Sequence, residues 1–316
     1  MATAKAHRSG GGEVPAAVRQ LPHGPGVYRF VDGRGRLLYV GRAVDLRRRV
    51  ASYWGDLGGR GHLRRMVAAV KRVQAVLCAS EHEAAWLERN LLDAYKPRAN
   101  RSCGGQEVPT FIALSSARAA PCLKAVHRPL AGHWRHFGPY LGGDRARLAL
   151  SGLDRVYCLP YSGERLTGSE RDMARARGVS PFGRADLVQS VCAVLERQPI
   201  AMAHLEAELT GHRDRAAKAL AFELARRVQD EIDALQWLLS PQRVTLLEPC
   251  DLDVYGWDHG PLVHFSVRGG KLSTWKESST TARRAQGLTD ATPVEWADFA
   301  QENAVLAARL ARATVI

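Results

Sequence analysis

Two tyrosine-containing triplets, Gly26-Val27-Tyr28 and Tyr39-Val40-Gly41, flank a short turn and constrain the fold of this chain most strongly. The residues around them are rich in β-branched and aromatic types, which favour strands. The intervening Asp32-Gly33-Arg34-Gly35 is typical of a turn, so the two segments are predicted to form a β-hairpin. The hairpin brings Tyr28 and Tyr39 close together, either as part of a functional site or as two strand tyrosines that fill a core.

A helix is predicted directly after the hairpin, with Asp45 as its N-cap. Arg42, Arg49 and Tyr53 are predicted near one face of this segment, because Arg49 and Tyr53 are four residues apart. The next elements are predicted to be a helix and a third strand, over residues 62–72 and 73–78.

The segment that begins at Ser80 has the sharpest helical pattern of the chain. Ser80 and Glu83 match a capping box, and Lys96-Pro97 ends the helix. Glu88 lies on the same stripe as apolar residues of this helix. A buried lone carboxylate is costly unless a cation or a metal ion meets it. Two interpretations stay open, a functional carboxylate or an edge residue that pairs with a neighbouring arginine.

The rest of the chain is predicted in broader terms. Residues 1–18 are Gly- and Ala-rich and are predicted to be a disordered lead, with structure beginning near Leu21. Apolar spacing over 201–240 is typical of an antiparallel helical hairpin. Residues 102–200 are predicted to be a connector with strands at 110–114 and 122–126 and a turn at 137–140. Within residues 241–316, strands are predicted at 244–247 and 262–267, a turn at 258–261 and a helix at 294–312.

Composition indicates a soluble globular protein, with 46% apolar and 24% charged residues. No apolar run reaches the length of a membrane span, and the first residues lack the hydrophobic stretch of a signal peptide. A cytoplasmic location without membrane association is therefore expected. The six cysteines lack the close spacing of a zinc site or a disulfide framework, so they are predicted to be reduced thiols.

The positive charge of the chain is confined to its N-terminal half. Residues 1–150 contain 25 Lys or Arg against 10 Asp or Glu, whereas residues 151–316 contain 20 against 22. A one-sided excess of arginine is typical of proteins that bind a phosphate backbone. DNA is the expected partner, and the alternative is a merely soluble basic surface.

The motifs together resemble a known family. They are Leu21-Pro22, Pro25 to Tyr28, Tyr39 to Ala43, Leu46 to Tyr53, Glu83 to Leu91, and Lys96 to Asn100. In this order they are similar to the GIY-YIG nuclease domain, and more narrowly to the version in the N-terminal half of UvrC excinucleases and their short homologue Cho. The resemblance implies an α+β fold in which residues 19–101 form a nuclease domain with a central antiparallel three-stranded sheet flanked by helices.

Weaker similarity continues beyond residue 101. Residues 102–200 resemble a degenerate form of the cysteine-rich region of the family, and 201–240 resemble the helical hairpin called UVR. The similarity of 216–235 to this hairpin implies a contact with the damage-loading subunit UvrB. The expected partner-binding residues are Phe222, Glu223 and Asp230.

The resemblance also implies roles for individual residues. Glu88 would hold Mg²⁺ or Mn²⁺, Tyr39 would orient or deprotonate the attacking water, and Arg49 would contact the scissile phosphate. A free tyrosine has a pKa of about 10, so Tyr39 needs nearby cations, such as Arg42 or the metal, to act as a base. The other expected catalytic residues are Tyr28, Tyr53 and Asn100, and the expected DNA contacts are Arg47, Arg48, Arg64, Arg65, Lys96 and Arg98.

Three departures from the family pattern modify this expectation. Arg42 occupies a position where UvrC has a lysine, which keeps the charge but accepts a proton less well. The cysteine-rich stretch is reduced to Cys158, so no iron–sulfur cluster is expected. No RNase H-like domain follows residue 316, so a single incision is expected rather than two.

The leading hypothesis is a metal-dependent DNA endonuclease of nucleotide excision repair that makes one incision, on the 3′ side of damaged or distorted DNA. A second hypothesis is a nuclease for crosslinked or branched DNA that acts without UvrB. A third is a non-catalytic adaptor that binds DNA and UvrB. Retention of the tyrosines, Arg49, Glu88 and Asn100 argues against the adaptor, because a binding module does not need them all.

Overall fold

The structure is a computed structural model that describes residues 15–55, 61–100, 108–244 and 250–313. The chain divides into two compact units. The first unit comprises the described residues of 1–105 and 241–316, and the second comprises those of 106–240. The first unit is therefore built from two separate stretches of sequence.

The described residues form both α-helices and β-strands. In chain order they are α1 (Ala16–Arg19), β1 (Gly26–Val31), β2 (Leu37–Ala43), α2 (Leu46–Ala51), α3 (Gly61–Ala69), β3 (Arg72–Leu77), α4 (Glu81–Tyr95), β4 (Thr110–Ser115), β5 (Cys122–Val126), β6 (Trp134–Tyr140), α5 (Gly143–Tyr157), α6 (Gly168–Ala176), α7 (Arg184–Leu195), α8 (Pro199–Lys218), α9 (Phe222–Leu239), β7 (Leu252–Gly256), β8 (Leu262–Arg268), β9 (Lys271–Ser278), α10 (Ala282–Thr289) and α11 (Val294–Arg312).

The N-terminal sheet is antiparallel with the strand order β2-β1-β3, which confirms the predicted three-stranded sheet. Successive side chains of β1 point to opposite faces. Tyr28 and Phe30 belong to a core cluster with residues of α2 and α3, whereas Val27 belongs to a second cluster with residues of α4. The sheet is therefore covered on both faces.

The predicted disordered lead is wrong at its C-terminal end. Residues 16–19 form α1, in which Ala17 and Val18 are buried. Burial of these two apolar side chains stabilises a short helix that composition alone does not indicate. Residues 1–14 of the predicted lead lie outside the described residues.

The C-terminal stretch differs from the prediction, because it is not a separate segment. Its strands form an antiparallel sheet in the order β7-β8-β9, and its residues Phe265, Trp275 and Phe299 share a core cluster with Val27 and Val76. The turn before β8 lies where it was predicted, but its partner strand is 252–256 rather than 244–247. Of the predicted strand at 244–247, only Val244 is described, and it lies outside a strand.

The second unit combines the predicted connector and the helical hairpin. Its sheet has the order β5-β4-β6, and α5, α8 and α9 contribute to one hydrophobic core. The predicted turn at 137–140 is instead the end of β6, where Gly138 adopts a φ of 118° beside a register shift in β4. The separate boundary predicted at residue 200 is therefore wrong, because α5 packs against α9 across it.

The described helices include none with the length and apolar content that crossing a bilayer requires.

Candidate active site

Three tyrosines form one cluster on the N-terminal sheet. Tyr28 lies opposite Gly41, and Phe30 lies opposite Tyr39, in the β1–β2 register. The Tyr28 and Tyr39 ring centroids are 6.2 Å apart, and those of Tyr39 and Tyr53 are 6.0 Å apart. The Tyr28 and Tyr53 hydroxyl oxygens are 2.8 Å apart and share a hydrogen bond. The hairpin therefore brings Tyr28 and Tyr39 together, and Tyr53, which follows α2, completes the cluster of predicted tyrosines.

The two triplets require glycine because of close packing. A Cβ atom at Gly41 would lie 2.5 Å from the Tyr28 hydroxyl oxygen and 2.8 Å from Tyr39 Cε1. A Cβ atom at Gly26 would lie 2.3 Å from the carbonyl oxygen of Val76 and 2.6 Å from Leu46 Cδ1. Any side chain at either position would displace a strand or a ring, so the triplets are steric requirements of the cluster.

Burial favours the protonated form of the Tyr28 and Tyr39 hydroxyls. Burial raises the pKa of Tyr28, as do the neighbouring Tyr53 and Tyr39. Burial likewise raises the pKa of Tyr39, and its hydrogen bond to Tyr53 and the nearby Glu88 carboxylate raise it further. Arg49 lowers the pKa of Tyr39, but burial outweighs this effect. The role considered for Arg42 or a metal in lowering this pKa stays a prediction.

Arg49 lies beside the tyrosine cluster. The Asp45 side chain caps α2 by accepting a hydrogen bond from the Arg48 backbone N–H at 2.9 Å, as predicted. The Arg49 side chain is exposed, and its Cζ lies 5.3 Å from the centre of the Tyr53 ring. A short, firmly capped helix thus presents a guanidinium beside the three hydroxyls. Arg42 does not share this face, because it belongs to β2 rather than to α2.

Glu88 projects from α4 towards β2. Its Oε1 accepts a hydrogen bond from the Arg42 backbone N–H at 3.1 Å, and the Arg42 Nε lies 3.4 Å from Oε2. The side chain is 21% exposed. Burial raises the pKa of Glu88, although Arg42 and Arg49 act against this. The arginine pairing considered from the sequence is therefore present, but it leaves a partly accessible carboxylate.

The donor set at Glu88 fits a hard divalent cation. Mg²⁺ in proteins is commonly bound by one or two carboxylates, and it retains several waters. The Glu88 carboxylate is partly accessible and partly desolvated, so a cation would relieve the cost of its burial. Among the residues that the structure describes, no three His, Cys, Asp or Glu side chains form a metal-binding group. A single partly accessible carboxylate is a donor that Mg²⁺ can combine with water ligands.

Asn100 holds the free edge of β2. Its Oδ1 accepts a hydrogen bond from the Val40 backbone N–H at 3.0 Å, and its Nδ2 donates to the Val40 carbonyl at 2.7 Å. Val40 directly follows Tyr39, so Asn100 positions the strand that carries this tyrosine.

Most of the predicted DNA-binding cations are on the surface. The exposed ones are Arg48, Arg64, Arg65, Lys96 and Arg98. Arg47 differs, because it is half-buried and its Nε donates to the Leu21 carbonyl at 2.6 Å. Part of its guanidinium is therefore occupied within the fold.

The predicted partner-binding residues lie on the second unit. Phe222, Glu223 and Asp230 on α9 are exposed. The sequence reasoning missed their apolar neighbours Leu220 and Leu224, which are 73% and 45% exposed. The sequence reasoning also missed Phe30, whose ring contacts Tyr28, Tyr39 and Tyr53. The period-two alternation with Tyr28 was the available signal for Phe30.

Known proteins resemble this chain over most of its length. Residues 24–101 match the family model of the UvrC-like GIY-YIG domain. UvrABC system protein C of Syntrophomonas wolfei is 30% identical over 270 residues, which are 81% of this chain and 44% of that protein. The corresponding protein of Alkalilimnicola ehrlichii is 32% identical over 256 residues, which are 76% of this chain and 40% of that protein. The chain thus spans about two fifths of the length of these relatives.

A solved structure is similar in sequence to part of this chain. It is the GIY-YIG N-terminal endonuclease domain of UvrC from Thermotoga maritima, bound to its catalytic divalent cation, magnesium. It is 30% identical, and the match covers 26% of this chain and 94% of that chain with a TM-score of 0.24. Residues 24–101 thus match the UvrC-like GIY-YIG domain, and most of the chain is similar to UvrC proteins.

Proposed function

We propose that this protein is a DNA endonuclease of the UvrC type that makes a single phosphodiester incision, on the 3′ side, at damaged or distorted DNA. The observation that carries the proposal is the position of Glu88 beside Tyr39 and Arg49, within electrostatic reach of both. A carboxylate, a guanidinium and several hydroxyl groups at one place supply the groups that phosphodiester hydrolysis needs.

Glu88 would hold a divalent cation such as Mg²⁺ or Mn²⁺, with water as the remaining ligands. A cation at this carboxylate would supply Lewis-acid stabilisation of charge on the phosphoryl oxygens. Arg42 would keep the Glu88 carboxylate in place through its backbone N–H. The partial burial of Glu88 supports this role, because a cation relieves the cost of a desolvated charge.

The other residues of the site would bind and orient the reactants. Arg49 would bind the scissile phosphate as a permanently charged fork. Tyr39, protonated because burial raises its pKa, would orient the attacking water or the phosphate by hydrogen bonds rather than act as the initial base. The Tyr28–Tyr53 hydrogen bond would hold both rings in register, and Asn100 would hold the Tyr39 strand.

We further propose that α9 is the UvrB-binding element. The UvrABC system gives its name to the similar proteins, and residues 216–235 include the exposed apolar side chains Leu220, Phe222 and Leu224. Exposed apolar residues in a group are typical of interaction surfaces. Glu223 and Asp230 lie on the same helix and add charges that could select the partner.

The test is to map incisions on a defined single-lesion duplex with Mg²⁺, with and without UvrB. Glu88→Gln retains the shape of the side chain but removes its charge, and it should lower the incision rate by about a hundredfold or more. Glu81→Gln is the matched control, since Glu81 is an exposed carboxylate on the same helix and should change little.

A wild-type protein that binds the duplex but never nicks it, under any of these conditions, would be an adaptor and not a nuclease. Equal incision with and without UvrB would contradict the role of α9. Incision on the 5′ side alone would contradict the proposed polarity.

Cation binding can be measured apart from activity. Mg²⁺ should raise the melting temperature of the wild type but not that of Glu88→Gln, because only the ionised carboxylate binds the cation tightly. Since burial raises the pKa of Glu88, both cation binding and incision should weaken as the pH falls, beginning at a higher pH than for an ordinary glutamate. Equal Mg²⁺ stabilisation of the two proteins would exclude Glu88 as the ligand.

A further inference from the structure

A cavity of about 550 Å³ lies in the first unit, away from the tyrosine cluster. Its volume is in the range of small-molecule binding sites. One wall is the N-terminal sheet, and the others are β7, β8, β9 and α10. The residues used below are Arg29, Arg72, Gln74, Tyr255, Trp275, Lys276, Glu277 and Arg284, and all of them line the cavity.

The cavity is on the other face of β1 from the candidate active site. Tyr28 contacts Tyr53, whereas the next residue, Arg29, contacts Trp275 of β9. This alternation is the ordinary geometry of a strand. A ligand of the cavity would therefore bind beside a different set of side chains from those proposed to cut DNA.

The lining has an excess of positive charge. Arg29, Arg72, Lys276 and Arg284 contribute four cations, and Glu277 contributes the one carboxylate. Burial raises the pKa of Glu277, and Arg29 and Arg72 act against this effect. Lys276 and Arg284 have exposed side chains and are not compensated by a second carboxylate in the lining. Such a surface favours an anionic ligand.

Arg29 is buried, with 7% of its surface exposed, and its contacts hold it in a fixed orientation. Its Nε donates to Gln74 Oε1 at 2.7 Å, and its Nη1 donates to the Trp275 carbonyl at 2.6 Å. Its Cζ lies 3.8 Å from the centre of the Trp275 ring. A buried guanidinium with a fixed orientation loses little conformational entropy when a ligand binds.

The walls also contain aromatic and hydroxyl groups. The Tyr255 ring stacks on His264, with centroids 4.4 Å apart and an interplanar angle of 9°. His264 Nε2 lies 2.8 Å from Asp253 Oδ1, which fixes this pair of rings. Nucleobases stack on aromatic side chains beside basic residues in many nucleic-acid sites. Ser278, Ser279 and Thr280 add hydroxyl groups at the margin.

We propose that this cavity binds a nucleoside phosphate, with its phosphate at Lys276 and Arg284 and its base against the aromatic wall. The ligand is either a free nucleotide or a nucleotide unit of single-stranded DNA, since both present the same chemistry. An inorganic anion alone would not use the aromatic wall. This site is additional to the proposed nuclease site and does not depend on it.

The test uses the full chain carrying Glu88→Gln, so that DNA is not cut. Binding is measured by isothermal titration calorimetry with four probes: dAMP, deoxyadenosine, inorganic phosphate and a 5′-phosphorylated single-stranded oligonucleotide. Lys276→Ala and Arg284→Ala should each weaken dAMP binding by about tenfold, the effect of losing a charge-assisted contact. The matched controls are Lys271→Ala on β9 and Arg283→Ala on α10, both exposed and outside the lining, and they should bind as the parent does.

Either of two results would support the proposal and show which kind of ligand the cavity binds. Tighter binding of dAMP than of the oligonucleotide would indicate a free nucleotide, and the reverse would indicate a DNA strand. The proposal is overturned if neither probe binds saturably up to about 1 mM, if Lys276→Ala and Arg284→Ala bind like the controls, or if phosphate alone binds as well as dAMP. Because Glu88→Gln is the parent here, failure of the nuclease proposal leaves this outcome unaffected.

Discussion

At the scale of single residues, the candidate site requires glycine at two positions as well as its functional side chains. Gly41 lets the Tyr28 hydroxyl lie almost against the backbone of β2, and Gly26 lets β3 and α2 close over β1. These contacts explain why the two triplets carry glycine at their outer ends. The spacing of the triplets was sufficient to predict that Tyr28 and Tyr39 lie close together, because the geometry of a hairpin is a local property.

Gly41→Ala should disturb the tyrosine cluster more than its size suggests. The added methyl group overlaps Tyr28 and Tyr39, and relief of such overpacking typically costs about 1–3 kcal/mol. We expect a lower melting temperature together with a loss of incision activity. Gly33→Ala is the control, because its Cβ would meet its nearest neighbour, Lys71 Cγ, at an ordinary 3.6 Å. Unchanged melting and activity in Gly41→Ala would show that the rings can move without consequence.

Glu83 shows the limit of prediction at this scale. Ser80 caps α4 as predicted, since its Oγ accepts a hydrogen bond from the Glu83 backbone N–H at 3.2 Å. The Glu83 side chain, however, accepts hydrogen bonds from the backbone N–H groups of Ala79, Arg243 and Val244 rather than from that of Ser80. A fully buried carboxylate needs several donors, and the C-terminal stretch supplies two of them. No local pattern indicates donors 160 residues away.

At the scale of elements, an asparagine side chain forms hydrogen bonds with the outer edge of each of the two outer strands of the N-terminal sheet. Asn100 bonds both backbone groups of Val40 on β2. Asn303 of α11 accepts from the Leu77 N–H at 2.7 Å and donates to the Leu77 carbonyl at 3.3 Å on β3. Unpaired strand edges invite association with other chains. The two asparagines thus satisfy backbone groups that the sheet itself leaves open.

The α5–α9 contact of the second unit is secured by a buried ion pair. Arg155 donates from Nε and Nη2 to the Glu231 carboxylate at 2.6 and 2.8 Å, and Ser151 donates to it at 2.7 Å. Burial opposes ionisation of Glu231, but these hydrogen bonds hold its pKa below the usual value. The contribution to stability is therefore present at neutral pH and lost as the pH falls below the ordinary glutamate range.

Arg155→Ala should destabilise the protein by about 3 kcal/mol, because it leaves the fully buried Glu231 side chain without its main partner. Arg227→Ala provides the matched control: its Nε lies 3.8 Å from the same carboxylate, but its side chain is 67% exposed, and its loss should cost well under about 1 kcal/mol. Chemical denaturation of both variants at neutral pH measures the difference. Equal effects would mean that the carboxylate does not distinguish the two arginines.

At the scale of the whole molecule, the nuclease-like sheet and the C-terminal stretch share one core. Val27, Val40 and Val76 of the N-terminal sheet belong to the same cluster as Phe265 and Phe299. Periodicity could indicate that 262–267 is a strand and that 294–312 is a helix, and the structure agrees closely with both. It could not indicate which sheet they would cover, because packing partners are set by shape and distance rather than by local spacing.

A chain that ends at Ser240 should therefore lose stability in its N-terminal sheet. Removal of 241–316 exposes the apolar side chains of this cluster and leaves the Leu77 backbone without Asn303. Hydrogen exchange should accelerate at the β3 amides, whereas the β4–β6 amides of the second unit, which has its own core, should keep their protection. Unchanged protection at β3 would mean that the sheet is stable without its C-terminal cover.

The sequence by itself determined the features that depend on neighbours along the chain: the hairpin of the two triplets, the caps at Asp45 and Ser80, and the place of Glu88 on an apolar stripe. Only the tertiary structure decided that 241–316 completes the first unit, that Glu83 binds the backbone at 243–244, that burial raises the pKa of Tyr39, and that Arg29 lines a cavity. The reason is physical. Helix and strand periods are set by dihedral angles a few residues apart, whereas burial, charge balance and cavities depend on which distant surfaces meet.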